Sequence, residues 1–214
     1  ELYNLAEDRC ETNNLIDSYA VKAEELQTEW LQWAKRVKIT PYYSHVEENP
    51  AKVRKKLKKD AEGFYILKHG DQVAREYAPK FAQKSIVIKL SITRGKEKSG
   101  VLISHGGNRS GYSLYLVDGR PAFSCRLDGT LHTIRATEIL PEKRVSLSVE
   151  LLSDGGVSFE IDGVVEGEGE LPGLFNNHPQ DPLEVGNDSQ STVVSYDSNS
   201  RFKGQIDEAK LKIK

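Results

Sequence analysis

Residues 106–113 read GGNRSGYS and come close to a phosphate-binding motif. The spacing G-x-x-x-x-G is that of a Walker A loop, but Tyr112 stands at the position of the lysine. A Walker A loop also needs a strand before it and a helix after it, so that backbone N–H groups and the helix dipole meet the phosphates. Here the stretches on both sides, GVLISHGG and SGYSLYLVDG, alternate like strands. The motif therefore predicts a glycine-rich turn between two adjacent strands, not a nucleotide site.

A pair of carboxylates and two cysteines are other residues whose types suggest chemistry. Glu160 and Asp162 fall on one face of a predicted strand beside a turn, where glycosidase-type catalysis would need a cleft and perturbed pKa values. Solvent-facing carboxylates are the favoured interpretation. Cys10 and Cys125 fit no metal-ligand spacing, and a disulfide and two free thiols both stay open, with free thiols favoured. The five histidines form no compelling Ser/His/Asp order.

Length, charge and hydropathy exclude several classes of protein. The chain has 214 residues and a formal net charge of −2, and it contains no apolar run long enough to span a bilayer. Global electrostatics therefore favours neither nucleic acid nor a membrane as a partner. The opening stretch, ELYNLAEDRC, lacks the basic and apolar regions of a signal peptide, so none is expected within this sequence.

An N-terminal zone, residues 1–43, is predicted to be helical after a short extended start. Its apolar residues recur at three- and four-residue steps and so share one helical face. These residues are Tyr19, Ala23, Leu26, Trp30, Trp33, Ala34 and Val37. Pro41 ends the pattern. Because a single helix cannot bury two tryptophans, Trp30 and Trp33 are predicted to pack on another surface.

Residues 44–62, SHVEENPAKVRKKLKKDAE, form a second zone that is polar and basic. Such a run could bind an anionic ligand such as nucleic acid or a sulfated glycan. No aromatic residue interleaves the basic ones, which favours a solvated helix or a linker. We therefore predict a basic polar linker at 44–62.

From residue 63 to residue 214 the apolar pattern changes to a period of two. The stretches KSIVIKLSI (84–92) and RVSLSVELL (144–152) each place aliphatic side chains on one face. Asp-Gly dipeptides at 118–119, 128–129, 154–155 and 162–163 lie between such stretches, and Asp-Gly favours the positive φ angles of tight hairpins. Many short strands without intervening helices predict a mostly β fold, an antiparallel β-sandwich.

Several stretches resemble the C-terminal region of bacterial arylsulfatases, which are members of the sulfatase family. ELYNLAEDRCETNNL (1–15) resembles the end of the sulfatase catalytic region, and EWLQWAKRV (29–37) resembles the helix that follows it. GVLISHGGNRSGYSLYLVDGRPAFSC (100–125) and residues 181–213, with LEVGND before FKGQIDEAKLKI, resemble the family's C-terminal β domain. The resemblance implies a concanavalin A-like or laminin G-like jelly roll at 63–214.

The resemblance also implies which parts of a sulfatase lie outside this sequence. The family's nucleophile is the Cys or Ser of a C/S-x-P-S-R motif, converted to formylglycine, and its divalent cation, expected to be calcium, is bound upstream. Cys10 is followed by ETNN and Cys125 by RLDG, so neither matches that motif. No catalytic residue, metal ligand or cofactor is therefore predicted in this chain. Family members are usually exported, so a periplasmic or secreted location is expected.

The function implied by the resemblance is that of a non-catalytic accessory module, which packs on its own sulfatase catalytic domain through Trp30 and Trp33. Jelly-roll lectins bind sugars with an aromatic platform and with amide or guanidinium donors, so a sulfated or neutral polysaccharide is the expected ligand. The candidate ligand-binding residues are Asn108, Arg109, Tyr112, Tyr115 and His105.

Each of these candidates also has a plainer interpretation. The guanidinium of Arg109 could bind a sulfate or carboxylate, but an exposed turn residue is favoured. Tyr112 and Tyr115 should point to opposite faces of a regular strand and so cannot share one platform. The alternative function is a purely structural or oligomerisation β-sandwich without a ligand of its own.

Overall fold

The computed structural model describes residues 1–36, 56–196 and 200–214, without the side chains of residues 34 and 35. The chain divides into two compact units, Glu1–Pro50 and Ala51–Lys214. The helix and the strands belong to different units.

The first unit contains one helix among its described residues, α1 (Ala20–Arg36). The turns before it are organised by Asp8, whose carboxylate accepts hydrogen bonds from the Asn13 N–H (2.7 Å) and the Thr12 hydroxyl (3.0 Å). Trp30 and Trp33 are 46 % and 44 % exposed on this helix. The predicted helix is confirmed over these residues, while its predicted end at Pro41 lies outside the described ones. No described helix is long and apolar enough to cross a membrane.

The described part of the second unit forms twelve strands. They are β1 (Tyr65–Leu67), β2 (Gln72–Val73), β3 (Ile86–Thr93), β4 (Gly100–Gly106), β5 (Gly111–Val117), β6 (Arg120–Leu127), β7 (Thr130–Arg135), β8 (Arg144–Leu151), β9 (Gly156–Ile161), β10 (Val164–Glu170), β11 (Leu183–Val185) and β12 (Gln205–Ile213). Sheet I has the order β1-β12-β3-β8-β9-β10, and sheet II has the order β2-β11-β4-β5-β6-β7. All neighbours in both sheets are antiparallel.

The core lies between the two sheets. Ile88 of β3 pairs with Val149 of β8, and these side chains are 0 % and 1 % exposed. From sheet II, Leu114 and Phe123 belong to the same buried cluster. The predicted alternation of β3 and β8 is confirmed, because each strand turns one set of aliphatic side chains toward the opposite sheet.

The predicted Asp-Gly hairpins are also confirmed. The turns at 118–119, 128–129 and 162–163 have positive φ at both residues, with φ of 52° and 81°, 50° and 89°, and 50° and 82°. These values are those of two-residue hairpins that match the twist of the flanking strands. At 154–155 only the glycine has positive φ, 96°. Local turn chemistry thus sets the order in which neighbouring strands pair.

A covering segment, residues 187–196 and 200–201, crosses the outer face of sheet II. Val194 and Tyr196 pack there on a small cluster that contains Val101 and Tyr115. The Val101 N–H donates to the Ser200 carbonyl at 2.7 Å, which attaches the segment to β4. Sheet II is therefore buried on both faces in its centre, and that outer face is not free for a ligand.

The basic zone reaches into the β-sandwich. Residues 44–55 of the predicted linker lie outside the described residues, but Lys59 forms an isolated bridge with Tyr65, and the Ile66 N–H donates to the Lys58 carbonyl at 2.9 Å. The Asp60 carboxylate accepts the Phe64 N–H at 2.9 Å. The backbone pairing at the edge of sheet I therefore includes residues before residue 63.

Candidate functional site

The turn between β4 and β5 is compact, and its glycines stand where neighbouring atoms leave no room for a side chain. Gly106 has φ of 95°, and the Gly107 N–H donates to the Ser110 carbonyl at 3.1 Å. A Cβ added at Gly107 would overlap Asp181 Oδ2 and the carbonyl oxygen of Ser191. The turn predicted from GGNRSGYS is confirmed, and its backbone lies directly against two loops that are distant in sequence.

A cleft of about 660 Å³, which we call the loop cleft, opens beside this turn. Its walls are the turn residues 107–110, Asp128 of the β6–β7 turn, residues 177–181, Arg75 and Ser191. A volume of this size is within the range of small-ligand sites. Segments far apart in the sequence therefore create one concave surface at one end of the sandwich.

Hydrogen bonds between the loops brace the walls of the loop cleft. Asp128 accepts hydrogen bonds from the side-chain amides of Asn176 (2.8 Å) and Asn177 (3.4 Å). The Ser110 hydroxyl donates to the Asn177 carbonyl at 3.0 Å, and the Gly129 N–H donates to the Arg109 carbonyl at 2.7 Å. The β4–β5 turn, the β6–β7 turn and the 176–177 loop are thus held together.

The charges of the loop cleft are balanced. Two arginines, Arg75 and Arg109, line it together with two aspartates, Asp128 and Asp181. Within the described parts of the chain, neither guanidinium has a hydrogen-bond or ion-pair partner, and both side chains are exposed. Asp181 accepts a hydrogen bond from Ser191. The two arginines are therefore available to an incoming ligand.

A second concavity of about 430 Å³, which we call the histidine pocket, adjoins the loop cleft. Arg75, His178 and Pro179 line both. The histidine pocket adds Glu76, Lys80 and His105, together with the apolar side chains of Ala78 and Pro79. His105 is 2 % exposed, whereas His178 is exposed.

Phe81 positions both imidazole rings. Its ring is fully buried and meets His105 edge-on, with centroids 4.9 Å apart and planes at 83°. His178 lies edge-on to the same ring at 6.3 Å. Phe175 and Tyr112 complete the aromatic cluster at 4.7 and 5.3 Å from Phe81. A buried aromatic cluster therefore packs against the two histidines that line the histidine pocket.

The pKa values of both imidazoles are lowered, which favours their neutral forms. Burial, and then the nearby His178, lower the pKa of His105 to about 3. Burial also lowers the pKa of His178, and the positive charges of Lys80, Lys84 and Arg75 lower it further. The Ala82 N–H donates to His178 Nδ1 at 3.4 Å. The surroundings of His178 are thus dominated by cationic groups.

The structure places the predicted ligand-binding residues in four different surroundings. Asn108 and Arg109 line the loop cleft, and His105 lines the histidine pocket. Tyr112 is 0 % exposed in the core, so a sugar cannot stack on its ring. Tyr115 lies under the covering segment, where its hydroxyl is 3.1 Å from Ser124 Oγ. The expected opposite orientation of the two tyrosines is confirmed, and the expected aromatic platform is corrected, because both rings are buried.

Other residues named from the sequence lie apart from the cleft. The Asp162 carboxylate accepts the Ser146 N–H at 2.8 Å, and Glu160 is exposed on β9. Cys10 is exposed and Cys125 is buried in β6, both as free thiols. Among the described residues, no three His, Cys, Asp or Glu side chains are arranged to hold a metal ion. The packing of Trp30 and Trp33 on a catalytic domain stays a prediction.

Sequence reasoning missed the half of the site that comes from distant loops. Arg75, His178 and Gln180 occupy segments without a motif, and Asn177 is one of several polar residues in the stretch FNNHPQD. The proline and the paired asparagines of that stretch indicate a loop. Nothing in the sequence indicates that this loop faces Arg75, because that contact depends on how the two sheets pack.

No protein-family model matches the sequence, and no curated protein is significantly similar to it. Solved structures do share the fold. NanB with optactamide aligns with a TM-score of 0.50 at 15 % identity, covering 59 % of this chain. A lysine-to-glycine mutant of the NanB sialidase from Streptococcus pneumoniae aligns with a TM-score of 0.52 at 14 % identity, covering 62 %. This chain spans 22 % of the length of those chains.

Domains LG4–5 of the mouse laminin α1 chain align with a TM-score of 0.48 at 15 % identity, covering 70 % of this chain and 38 % of that one. The predicted fold class is confirmed: the protein is mostly β, with a concanavalin A-like antiparallel β-sandwich after an N-terminal helical segment.

Proposed function

We propose that this chain is a non-catalytic accessory module that binds carbohydrate in the loop cleft. The observation that carries the proposal is a pair of guanidinium groups, those of Arg75 and Arg109, which have no partner among the described residues and lie in a preformed cleft that also presents side-chain amides. Asn108, Asn177 and Gln180 supply those amides. Amide and guanidinium groups are suited to the many hydroxyl and anionic oxygens of a glycan.

The composition of the cleft favours polar recognition over stacking. Among the described residues that line it, the imidazole of His178 is the one aromatic ring. We therefore expect affinity to depend on hydrogen bonds and charge, and to be modest for a single sugar unit. A sandwich of this fold also occurs within a sialidase, whose name denotes an enzyme of sugar chemistry, and this adds general support.

The test is a binding measurement by isothermal titration calorimetry against a panel of neutral, carboxylated and sulfated oligosaccharides. We expect at least one to bind, and Arg109→Ala to weaken that binding by roughly tenfold or more, because a charge-assisted hydrogen bond is lost. Lys143→Ala is the matched control, since Lys143 is exposed and lies outside both concavities. Absence of binding across the panel would favour the purely structural or oligomerisation role.

A sulfatase parent is the second part of the proposal. Its support is the resemblance of residues 1–15, 29–37, 100–125 and 181–213 to consecutive parts of one family. The exposed Trp30 and Trp33 would then pack on the sulfatase catalytic domain, and the whole protein would be periplasmic or secreted. A C/S-x-P-S-R motif encoded upstream of Glu1 is the expected finding, and turnover of an aryl sulfate by this chain alone would contradict the non-catalytic role.

A further inference from the structure

The two concavities differ in charge although they share a wall. In the loop cleft, Arg75 and Arg109 are matched by Asp128 and Asp181. In the histidine pocket, Glu76 is the one acidic residue among the described lining residues, beside Arg75 and Lys80. Lys84 adds a further positive charge that acts on His178. The histidine pocket is therefore the part of the site that attracts an anion.

The floor of the histidine pocket contains a polar group that the protein does not satisfy. Among the described residues, His105 Nδ1 is buried without a hydrogen-bond partner, although His105 lines the pocket. The phenol of Tyr112, whose ring centroid is 5.8 Å from that of His105, also lacks a partner among the described residues, but Tyr112 is not part of the pocket lining. Buried polar atoms without partners are rare and costly, and a bound group is one of the usual reasons for them.

We propose that the histidine pocket binds an anionic substituent, a sulfate ester or a carboxylate, of a glycan whose uncharged hydroxyls occupy the loop cleft. Arg75 stands between the two parts and contacts the anion with its guanidinium, and Lys80 adds charge. The imidazole of His105 forms part of the floor beside the anion. This inference rests on the proposed carbohydrate binding and assigns the chemical class and orientation of the ligand.

Other positions of the anion are less favourable. In the loop cleft it would lie near the carboxylates of Asp128 and Asp181, which repel it. The exposed guanidinium of Arg75 can rotate toward either part, whereas Lys80 and His105 belong to the histidine pocket alone. The difference in charge between the two concavities thus places the anionic group of the glycan in the histidine pocket and its hydroxyls in the loop cleft.

The experiment uses matched pairs of oligosaccharides that differ only in charge, titrated calorimetrically into the full chain at about 0.15 M salt to limit non-specific attraction. One pair is a sulfated galactan oligosaccharide and its desulfated form, and the other is oligogalacturonate and its methyl ester. We expect at least one anionic member to bind roughly tenfold or more tightly than its neutral partner, and Arg75→Ala to abolish most of that difference. Whichever pair discriminates identifies sulfate or carboxylate as the recognised group.

The substitution Glu76→Gln tests whether the anion binds in the histidine pocket, because it should then increase the affinity for the anionic oligosaccharide. It removes the carboxylate of the histidine pocket and should tighten the anionic oligosaccharide by roughly threefold while leaving its neutral form unchanged. Glu138→Gln is the control, because Glu138 is exposed and lies outside both concavities. The side-chain nitrogen resonances of His105 should also shift with the anionic form only.

The outcomes separate this inference from the proposed function. Equal affinity for both members of each pair would overturn the anionic assignment and leave carbohydrate binding intact. Identical behaviour of Glu76→Gln and Glu138→Gln would likewise overturn it. No binding of any of the four oligosaccharides would count against the inference and against the proposed function together.

Discussion

At the scale of single residues, Asp188 shows how burial changes the chemistry of a carboxylate. Its side chain is 4 % exposed, and Oδ2 accepts hydrogen bonds from the Val193 N–H (3.0 Å) and the Tyr196 hydroxyl (2.7 Å). Burial raises the pKa of Asp188 to about 6, and the nearby Glu184 and Asp181 contribute, although the two hydrogen bonds oppose the rise. Folding therefore makes this carboxyl easier to protonate than it is in the unfolded chain.

The pKa of Asp188 predicts a defined pH dependence of stability. Because the folded value lies above the ordinary 3.8, the contribution is favourable below about pH 4 and is lost as the pH rises through 6. Asp188→Asn imitates the protonated form and should increase the free energy of unfolding at pH 7.5, by up to about 3 kcal/mol for the full shift. The increase should vanish near pH 4, as measured by urea denaturation.

The comparison must be made between the variant and the wild type at each pH. His105 has the opposite effect on stability. Because its imidazole is buried in the neutral form with a pKa of about 3, the free energy of unfolding decreases as the pH falls below 6.5. That effect is common to both proteins and cancels in the difference. A difference that does not change with pH would contradict the account of Asp188.

Single positions also show the limit of prediction from sequence. Arg109 was recognisable because a guanidinium in a polar turn is expected to be exposed. The burial of Tyr112 could not be predicted in the same way, because alternation places Tyr112 on one face of β5 without indicating which face is covered. Both faces of β5 are buried, one by sheet I and the other by the covering segment. That second cover comes from residues about eighty positions away.

At the scale of elements, the β4–β5 turn connects local turn chemistry to the cleft. Gly107 must lack a side chain, because Asp181 and Ser191 occupy the space where its Cβ would lie. Gly107→Ala should therefore displace two walls of the loop cleft and lower the free energy of unfolding by roughly 1–3 kcal/mol. Chemical denaturation measures this loss.

Gly95→Ala is the matched control for the β4–β5 turn. A Cβ there would have no neighbour closer than 3.6 Å, the carbonyl oxygen of Lys203, and the backbone angle is an ordinary one. It should change stability little and leave glycan binding intact. Equal effects of the two substitutions would show that the contact of Gly107 with the neighbouring loops does not matter.

The elements that the sequence predicts well are those that local chemistry determines. Alternation located β3 and β8, and Asp-Gly located four hairpins, because both signals act within a few residues. The histidine pocket escaped prediction, since it needs Lys80, His105 and His178 to meet across the sandwich. Those contacts follow from sheet order, which alternation does not encode.

At the scale of the whole molecule, the two sheets offer different surfaces to a ligand. The outer face of sheet II is closed by the covering segment. The outer face of sheet I presents lysines, and Lys89 and Lys212 lie 5.0 and 5.2 Å from the ring of Phe64. Because these lysines could attract an anion, this face is the main competitor of the cleft for an anionic glycan, although Glu150 and Glu208 form ion pairs with neighbouring lysines. The position of the ligand distinguishes the two.

The most direct test of the central claim is an amide NMR titration of the full chain with the oligosaccharide that binds most tightly. We expect the largest shifts on the backbone amides of Gly107, Asn108, Asn177 and Gln180, and we expect Arg109→Ala to suppress them. Shifts confined to the face of sheet I around Lys89 and Lys212, with the cleft amides unchanged, would show that the glycan does not bind in the loop cleft.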